Sequence, residues 1–222
     1  MLNKISKKIL EYKLKRITRS YLESVNFENI RQDYFQKERN QSKFVDSSFQ
    51  INKNIHFIDY LNLDQRTQLS ILDIGCGAGW FLFLCKMLGH QVHGLDVNNN
   101  EQFNRMITMF DMDRTVHQIK PFTSLPKLNK KFDLITSFLI TFNGRNEENY
   151  WEKEEFDFFL KDLADNYARN ENTRIFLQFN NEKGANNIFF SNQLKQYFVE
   201  NGAEINQSIV YFKDISKLCK SK

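Results

Sequence analysis

The sequence has little cysteine and little proline, with 3 Cys and 2 Pro among 222 residues. Cys76, Cys85 and Cys219 form no CxxC pair and no Cys/His cluster with the spacing of metal ligands. This pattern argues against a zinc site and against a disulfide framework. We therefore expect no bound metal and a reducing, cytoplasmic location.

Long apolar runs are also missing. No run reaches the roughly 18 to 20 residues that span a bilayer, and the N-terminus lacks the apolar stretch of a secretory signal. Hydrophobic residues nevertheless make up 41% of the chain, and 22 of them are Phe. A chain of this length and composition predicts one well-packed domain with an appendage rather than a disordered protein.

The positive charge is concentrated at the N-terminus. Residues 1–20 contain seven Lys/Arg and one acidic residue, Glu11, whereas the rest of the chain holds 24 Lys/Arg and 26 Asp/Glu, a net charge of −2. Nucleic-acid surfaces need clustered cations to contact phosphates. The near-neutral body therefore argues against an extended nucleic-acid surface outside the first 20 residues.

Residues 4–25 are predicted to form a basic amphipathic helix, because Leu10, Leu14, Ile17 and Tyr21 fall on one face. We favour packing of this face on the same domain or on a twin subunit in a homodimer. An arm that contacts a membrane surface or RNA is the alternative. Residues 26–50 are polar with scattered aromatics, and we interpret them as a loop-rich connector or lid.

From about residue 52 helical and strand patterns alternate, which is typical of a parallel sheet with crossover helices. We predict an α/β fold with helices on both faces of the sheet. Between Gly202 and the C-terminus there is little room for two full strands, and whether a final strand pair is complete stays open. The predicted strands cover 69–74, 91–96, 115–119, 132–140, 174–179 and 209–212, and the helices cover 53–62, 80–88, 103–110, 153–169 and 188–199.

A glycine-rich turn follows the first predicted strand. Asp73 ends that strand, and Gly75, Gly77 and Gly79 alternate before the next helix. Glycines at such a turn permit backbone angles closed to other residues and let a ligand approach the main chain. The amides that begin the following helix would face the same ligand.

A dinucleotide-binding GxGxxG motif would require glycine at position 80, where the sequence has Trp80. This departure disfavours an NAD-dependent oxidoreductase. The segment ILDIGCGAGWF (71–81) instead resembles the first motif of the class I S-adenosylmethionine-dependent methyltransferases. The resemblance spans roughly residues 50–180, and Asp96 at the end of the second strand reinforces it. A Rossmann-like, mostly parallel sheet is the fold that this family implies.

The resemblance also implies roles for individual residues. The glycines would pass under the methionine portion of S-adenosylmethionine, Asp73 would lie near its amino group, and Asp96 would accept hydrogen bonds from both ribose hydroxyls. Val97 would line the adenine pocket, and Phe122 is a candidate to pack on the adenine ring. The predicted cofactor-binding set is Asp73, Gly75, Cys76, Gly77, Gly79, Trp80, Asp96, Val97 and Phe122.

The acceptor is expected beyond the end of the fourth strand. Residues 131–151 contain this strand and the segment that follows it. This segment has neither an NPPY-like tetrapeptide nor a Pro-Cys nucleophile, which disfavours two classes of nucleic-acid or protein methylation. No general base is identifiable, and transfer to a nucleophilic nitrogen or thiol can rest on positioning alone. The candidates on the acceptor side are His56, Thr141, Asn143 and Trp151.

These observations predict two regions, a basic helix with its connector or lid (1–50) and an S-adenosylmethionine-binding domain (51–222). The predicted function is methyl transfer to a small-molecule, saccharide or lipid-linked acceptor. Two alternatives stay open. One is an RNA methyltransferase that uses the basic N-terminal arm, and the other is a non-catalytic methyltransferase-like partner subunit.

Overall fold

The structure is a computed structural model that describes residues 2–37, 39–66, 68–140, 142, 150–180 and 189–219. The helices in these ranges are α1 (Leu2–Ser24), α2 (Phe27–Phe35), α3 (Arg39–Ser42), α4 (Ser47–Tyr60), α5 (Trp80–Met87), α6 (Glu101–Met109), α7 (Lys153–Asp162), α8 (Asn192–Glu200) and α9 (Ser216–Cys219). The strands are β1 (Ser70–Ile74), β2 (Gln91–Asp96), β3 (Arg114–Val116), β4 (Leu134–Ile140), β5 (Arg174–Phe179), β6 (Glu204–Asn206) and β7 (Ile209–Phe212).

The strands form one seven-stranded sheet in the order β3-β2-β1-β4-β5-β7-β6. β1 pairs with β4 in parallel, and β4 pairs with β5 in parallel. β7 is antiparallel to both β5 and β6. All five residues of β1 are buried, as is typical of a strand inside a parallel sheet. The prediction of a Rossmann-like, mostly parallel sheet with N-terminal helices is confirmed.

The chain divides into two compact units. The first unit comprises residues 1–69, 76–94 and 98–115, and the second comprises 70–75, 95–97 and 116–222. The N-terminal helices, the glycine-rich turn after Gly75 and α6 belong to the first unit. The ends of β1 and β2, together with β4, β5 and the C-terminal part of the chain, belong to the second.

In the first unit α1 packs its apolar face on its own domain. Leu10, Leu14 and Leu22 are buried at helical spacing. The side chain of Tyr21 is half-buried, its ring lies 4.9 Å from that of Phe83, and its hydroxyl donates to the carbonyl of Met109 at 2.8 Å. The favoured interpretation of this helix, packing on the same domain, therefore agrees with the structure.

The prediction that residues 26–50 are loop-rich is wrong, because α2, α3 and the start of α4 lie in this segment. Phe27 and Tyr34 are the buried residues of α2. Two buried positions are too few to give the sequence a clear helical periodicity of apolar residues. Asp46 caps α4 by accepting a hydrogen bond from the amide of Phe49 at 2.9 Å. The predicted boundary at residue 50 falls inside α4.

In the second unit an aromatic cluster fills the space beside the sheet. The ring of Phe142 lies 5.0–5.7 Å from four other rings, those of Trp151, Phe156, Phe159 and Phe179. Edge-on and tilted contacts of this kind stabilise a core beyond the effect of burial alone. Some of the many Phe residues of this chain therefore serve to pack the core.

Two details at the C-terminal side differ from the predicted elements. The predicted helix 153–169 ends at Asp162 and continues as a π-helical turn, Leu163–Tyr167, which allows the Tyr167 hydroxyl to donate to the carbonyl of Pro126 at 2.9 Å. The C-terminal strand pair that the sequence left open is complete. β6 pairs with β7, and a tight turn at Gln207 and Ser208 joins them. The short loop makes the strand pair fit into the available length.

Candidate functional site

The carboxyl end of β1 presents a buried carboxylate. Asp73 is 3% exposed, and its Oδ1 accepts a hydrogen bond from the Thr136 hydroxyl at 2.7 Å. Thr136 lies opposite Asp73 in the parallel pairing of β1 with β4. Burial and a short hydrogen bond fix the orientation of this carboxylate, so it can act as a rigid part of a site.

Asp96 ends β2 beside the end of β1. The neighbouring position is shown by the Gly75 amide, which donates to the carbonyl of Leu95 at 2.7 Å. The side chain of Asp96 is half-buried, and its Oδ1 accepts from the amide of Val97 at 2.7 Å. The two acids thus sit at the ends of adjacent strands in the second unit, where open α/β sheets bind ligands.

The three glycines of the turn all need left-handed backbone angles, with φ of 77° at Gly75, 55° at Gly77 and 78° at Gly79. A Cβ at Gly75 would lie 3.0 Å from Cδ1 of Ile140. A Cβ at Gly79 would lie 2.1 Å from Cε of Met112. The backbone conformation therefore favours glycine at all three positions, as the spacing in the sequence indicated. At Gly79 an added Cβ would also have to displace the end of the Met112 side chain.

Gly94, in β2, is a further glycine close to this turn that sequence reasoning missed. A Cβ at this position in β2 would lie 2.7 Å from Sγ of Cys76, which is itself 8% exposed. The strand can pass close to the turn only because Gly94 has no side chain. A lone glycine inside an apolar strand was the available signal, since it often marks a close backbone approach.

Trp80 begins α5, and its indole lies in the core of the first unit. It is 3% exposed, Nε1 donates to the carbonyl of Phe44 at 2.8 Å, and the ring lies 4.9 Å from that of Phe110. The indole is therefore not placed to contact a ligand in the turn. The first main-chain hydrogen bond of α5 runs from the Phe83 amide to the Gly79 carbonyl. The Trp80 amide comes before it and has no acceptor inside the helix, so it is this amide, and not the indole, that suits contact with the cofactor.

Phe122 is 56% exposed in the second unit, with φ of 52° and its ring 6.1 Å from that of Phe158. Its packing on an adenine ring stays a prediction. On the acceptor side, His56 is exposed on α4 beside Phe57. The ring of Trp151 is 7% exposed in the aromatic cluster, so its proposed contact with an acceptor is not supported. The other two candidates, Thr141 and Asn143, lie outside the described residues.

The carboxyl end of β4 contains a bulge that the sequence did not indicate. The pairing of β4 with β5 shifts between Phe138 and Ile140, and Leu139 adopts φ of 54°. The Asn180 amide nitrogen donates to the carbonyl of Leu139 at 2.5 Å. Strained backbone of this kind is frequent at ligand-binding edges. Here it brings Ile140 against Gly75.

A segment of the predicted connector packs on the glycine-rich turn within the first unit. The ring of Phe44 lies 4.7 Å from that of Phe103, whose ring atoms come within 3.6 Å of a Cβ built on Gly77. The Gln102 side chain donates to the carbonyl of Gln41 at 2.9 Å. Residues 41–44 therefore lie close to the turn, although the sequence places them about 35 residues away from it.

The comparison with known families agrees with this arrangement. Residues 47–141 match a family model described as a methyltransferase domain, and this segment contains β1, the glycine-rich turn, β2 and β4. The match covers 95 of the 222 residues. The predicted resemblance to class I S-adenosylmethionine-dependent methyltransferases is confirmed.

Solved structures of methyltransferases are similar to this chain at low sequence identity. DesVI from Streptomyces venezuelae is 15% identical over 62% of this chain, with a TM-score of 0.43. A TehB-like S-adenosylmethionine-dependent methyltransferase from Corynebacterium glutamicum is 17% identical over 72%, with a TM-score of 0.47. Magnesium protoporphyrin IX methyltransferase from Synechocystis, crystallised with S-adenosylhomocysteine, is 17% identical over 89%, with a TM-score of 0.48.

The matched share of these proteins differs. The match covers 54% of DesVI, 86% of the TehB-like methyltransferase and 98% of the Synechocystis methyltransferase. The chain therefore spans about half the length of DesVI. No curated protein sequence matches it. In the described part of the chain, no helix is both long and apolar enough to cross a bilayer.

Proposed function

We propose that this chain is a methyltransferase that holds S-adenosylmethionine at the carboxyl ends of β1 and β2, through Asp73, Gly75 and Asp96, and transfers its methyl group to a small-molecule acceptor. One observation carries the proposal. Asp73 and Asp96 lie at the carboxyl ends of adjacent strands, and three glycines in left-handed conformations follow Asp73. The residues fit the cofactor, because the turn has no side chain to block it and the acids match its amino and hydroxyl groups.

The role of each residue follows from its environment. Asp96 is half-buried, and its Oδ1 accepts from the Val97 amide, so the carboxylate is oriented. A carboxylate is an acceptor-only group, which suits contact with the two ribose hydroxyls. Asp73 is almost fully buried and held by Thr136, which suits a fixed negative charge near the cofactor amino group. The exposed ring of Phe122 is proposed to cover the adenine.

The chemistry asked of the protein is mainly positioning. When bound, S-adenosylmethionine supplies an electrophilic methyl group on a sulfonium. The acceptor nucleophile would form a bond to the methyl carbon while the carbon–sulfur bond breaks with its electron pair going to sulfur, so that S-adenosylhomocysteine would be the second product. A proton carried by the nucleophile passes to solvent or a neighbouring base. Holding donor and acceptor in line supplies a large part of such a rate enhancement.

The charge distribution supports a small acceptor. Residues 21–222 carry a net charge of −2, whereas a nucleic-acid surface needs clustered cations. We propose that residues 41–44, which pack on the glycine-rich turn through Phe44 and Phe103 within the first unit, cover this turn. This assigns the N-terminal region 1–50 a covering role. A saccharide or lipid-linked acceptor stays a prediction within the same class.

Calorimetric titration with S-adenosylmethionine tests the cofactor site. We expect wild type to bind and Asp96→Asn to bind about 10- to 100-fold more weakly, because the amide loses charge-assisted bonds to the ribose. Glu171→Gln, the same type of change on an exposed turn, serves as the control and should bind like wild type. Equal affinities of Asp96→Asn and wild type would refute the ribose role, and a folded wild type that does not bind would refute the proposal.

RNA as acceptor is the alternative, because α1 leaves Lys8, Lys13 and Arg16 exposed. It predicts RNA binding that weakens steeply with salt and is lost when these three residues are replaced by Gln. Binding of this kind, measured by filter retention between low and moderate salt, would replace the small-molecule acceptor by RNA. Salt-insensitive or absent binding would remove the alternative.

A further inference from the structure

The first unit contains a cavity of about 470 Å³ among α1, α2 and the beginning of α4. Its lining residues all belong to 15–51, so none of the predicted cofactor residues contributes to it. A volume of this size is in the range of small-ligand pockets. The cavity is therefore a candidate for a second ligand, and three features of its wall indicate the chemistry of that ligand.

The inner wall is apolar with one polar exception. Leu22, Phe27 and Ile51 line the cavity and are 8%, 6% and 4% exposed. Thr18 also lines it and is fully buried, yet its hydroxyl has no hydrogen-bond partner within the described part of the chain. A buried hydroxyl without a partner is rare and costs stability. A polar group placed in this cavity could supply the missing partner.

The rim carries three cations, and each is paired with an acid on its own helix. Lys15 pairs with Glu11 at 2.5 Å, Arg19 with Glu23 at 2.9 Å and Arg31 with Glu28 at 2.9 Å. The pairs are solvent-exposed and three or four residues apart, and such pairs contribute little to stability. The three cations can therefore turn to a ligand anion at small cost. Glu23 and Glu28 also line the cavity, so its lining has a net charge of +1.

The beginning of α4 adds uncommitted donors. Asp46 caps the helix by accepting from the Phe49 amide, which leaves the amides of Ser47 and Ser48 without an acceptor inside the helix. Both serines line the cavity. The N-terminus of a 14-residue helix attracts anions through its amides and its dipole.

We propose that this cavity binds a small organic phosphate monoester. Its phosphate lies among Arg19, Arg31 and the amides of Ser47 and Ser48, and its apolar part lies on Leu22, Phe27 and Ile51. Guanidinium groups and helix N-termini match the geometry and charge of a phosphate. The Thr18 hydroxyl donates to a polar atom at the inner end of the ligand. The site does not depend on the proposed methyl transfer.

Phenyl phosphate is the probe, titrated into the full-length protein and followed by methyl NMR of Thr18 and Ile51. We expect saturable shifts of both methyl signals, weaker binding of inorganic phosphate and no saturable shift with phenol. Benzoate that binds as tightly as phenyl phosphate would overturn the assignment to phosphate. No saturable shift at Thr18 or Ile51 with phenyl phosphate would overturn the site itself.

Two substitutions at the same ion pair should act in opposite directions. Arg31→Gln should weaken phenyl phosphate binding about three- to tenfold, and Glu28→Gln should strengthen it because a competing acid is removed. Arg16→Gln, on the exposed part of α1 and not in the cavity lining, is the matched control and should bind like wild type. Equal effects of Arg31→Gln and Arg16→Gln would show that only overall charge matters and would overturn the proposal.

A phosphate monoester can be a free metabolite or a lipid headgroup, and a second measurement separates the two. Sedimentation with phosphatidylcholine vesicles that contain phosphatidic acid tests the headgroup. Arg31-dependent sedimentation would support the site with a lipid source, and phenyl phosphate binding without sedimentation would support it with a free source.

Discussion

Substitution of Gly79 by alanine tests whether the turn needs glycine for space as well as for conformation. Gly79 has φ of 78°, and an added Cβ would lie 2.1 Å from Cε of Met112 and 2.7 Å from Cδ1 of Ile107. Gly89, which follows α5, has φ of 92° and nothing within 4 Å of an added Cβ. Gly89→Ala is therefore a matched control that carries the conformational cost alone.

The expected magnitudes follow from these two environments. A non-glycine residue in a left-handed conformation costs about 1–2 kcal/mol. Overpacking adds about 1–3 kcal/mol, and the lower part of this range applies because both contact atoms end flexible side chains. We expect Gly89→Ala to lower the free energy of unfolding by about 1–2 kcal/mol. Gly79→Ala should lower it by about 2–4 kcal/mol.

Urea unfolding followed by circular dichroism and tryptophan fluorescence measures both values. Gly79→Ala should also weaken S-adenosylmethionine binding, since the turn must shift to relieve the contact with Met112, whereas Gly89→Ala should not. Replacing Met112 with alanine in the Gly79→Ala background should recover part of the loss relative to the two single changes. Equal stability and equal cofactor affinity of Gly79→Ala and Gly89→Ala would refute a requirement for space at Gly79.

Three further predictions concern the second unit. Asp133→Ala should lower the unfolding free energy by about 2 kcal/mol in urea titrations, because its carboxylate accepts from the Ser70 amide at 2.7 Å; a loss below about 0.5 kcal/mol would contradict this. Burial, with a smaller contribution from the nearby Asp162 carboxylate, raises the pKa of Tyr167 to about 12, so the neutral phenol is favoured in the folded state. Stability should therefore fall as pH rises from about 10 towards 12, and fall less in Tyr167→Phe; identical alkaline curves would contradict it. Asn180→Ala should release the Leu139 carbonyl and raise the acceptor KM with little change in cofactor affinity, and unchanged kinetics would argue that the bulge is unrelated to the acceptor.

Local patterns were sufficient for the turn and for six of the seven described strands; β6 was not predicted. The predicted bounds of three strands, Gln91–Asp96, Arg174–Phe179 and Ile209–Phe212, agree with the structure, because an apolar run between polar or glycine residues is a local signal. The positive φ angles of the turn glycines follow from their spacing between a strand and a helix. The cofactor roles of Asp73 and Asp96 stay predictions that the calorimetry tests.

Short helices in the N-terminal region were not predictable in this way. The segment 26–50 has few apolar residues, and in α2 only Phe27 and Tyr34 are buried. Trp151 shows the opposite case. It was predicted at an acceptor site because it follows β4. In the structure its ring packs against that of Phe142 and is part of the core.

The sequence by itself determined the class of fold, the glycine-rich turn and the resemblance to a methyltransferase family, because spacing along the chain and strand-end acids are local features. Tertiary structure alone decided which distant groups meet. Thr136 holds Asp73 across 63 residues, Gly94 makes room for Cys76, and Phe44 reaches the turn through Phe103. Such contacts depend on how the chain packs in three dimensions, and residue spacing carries no signal for them.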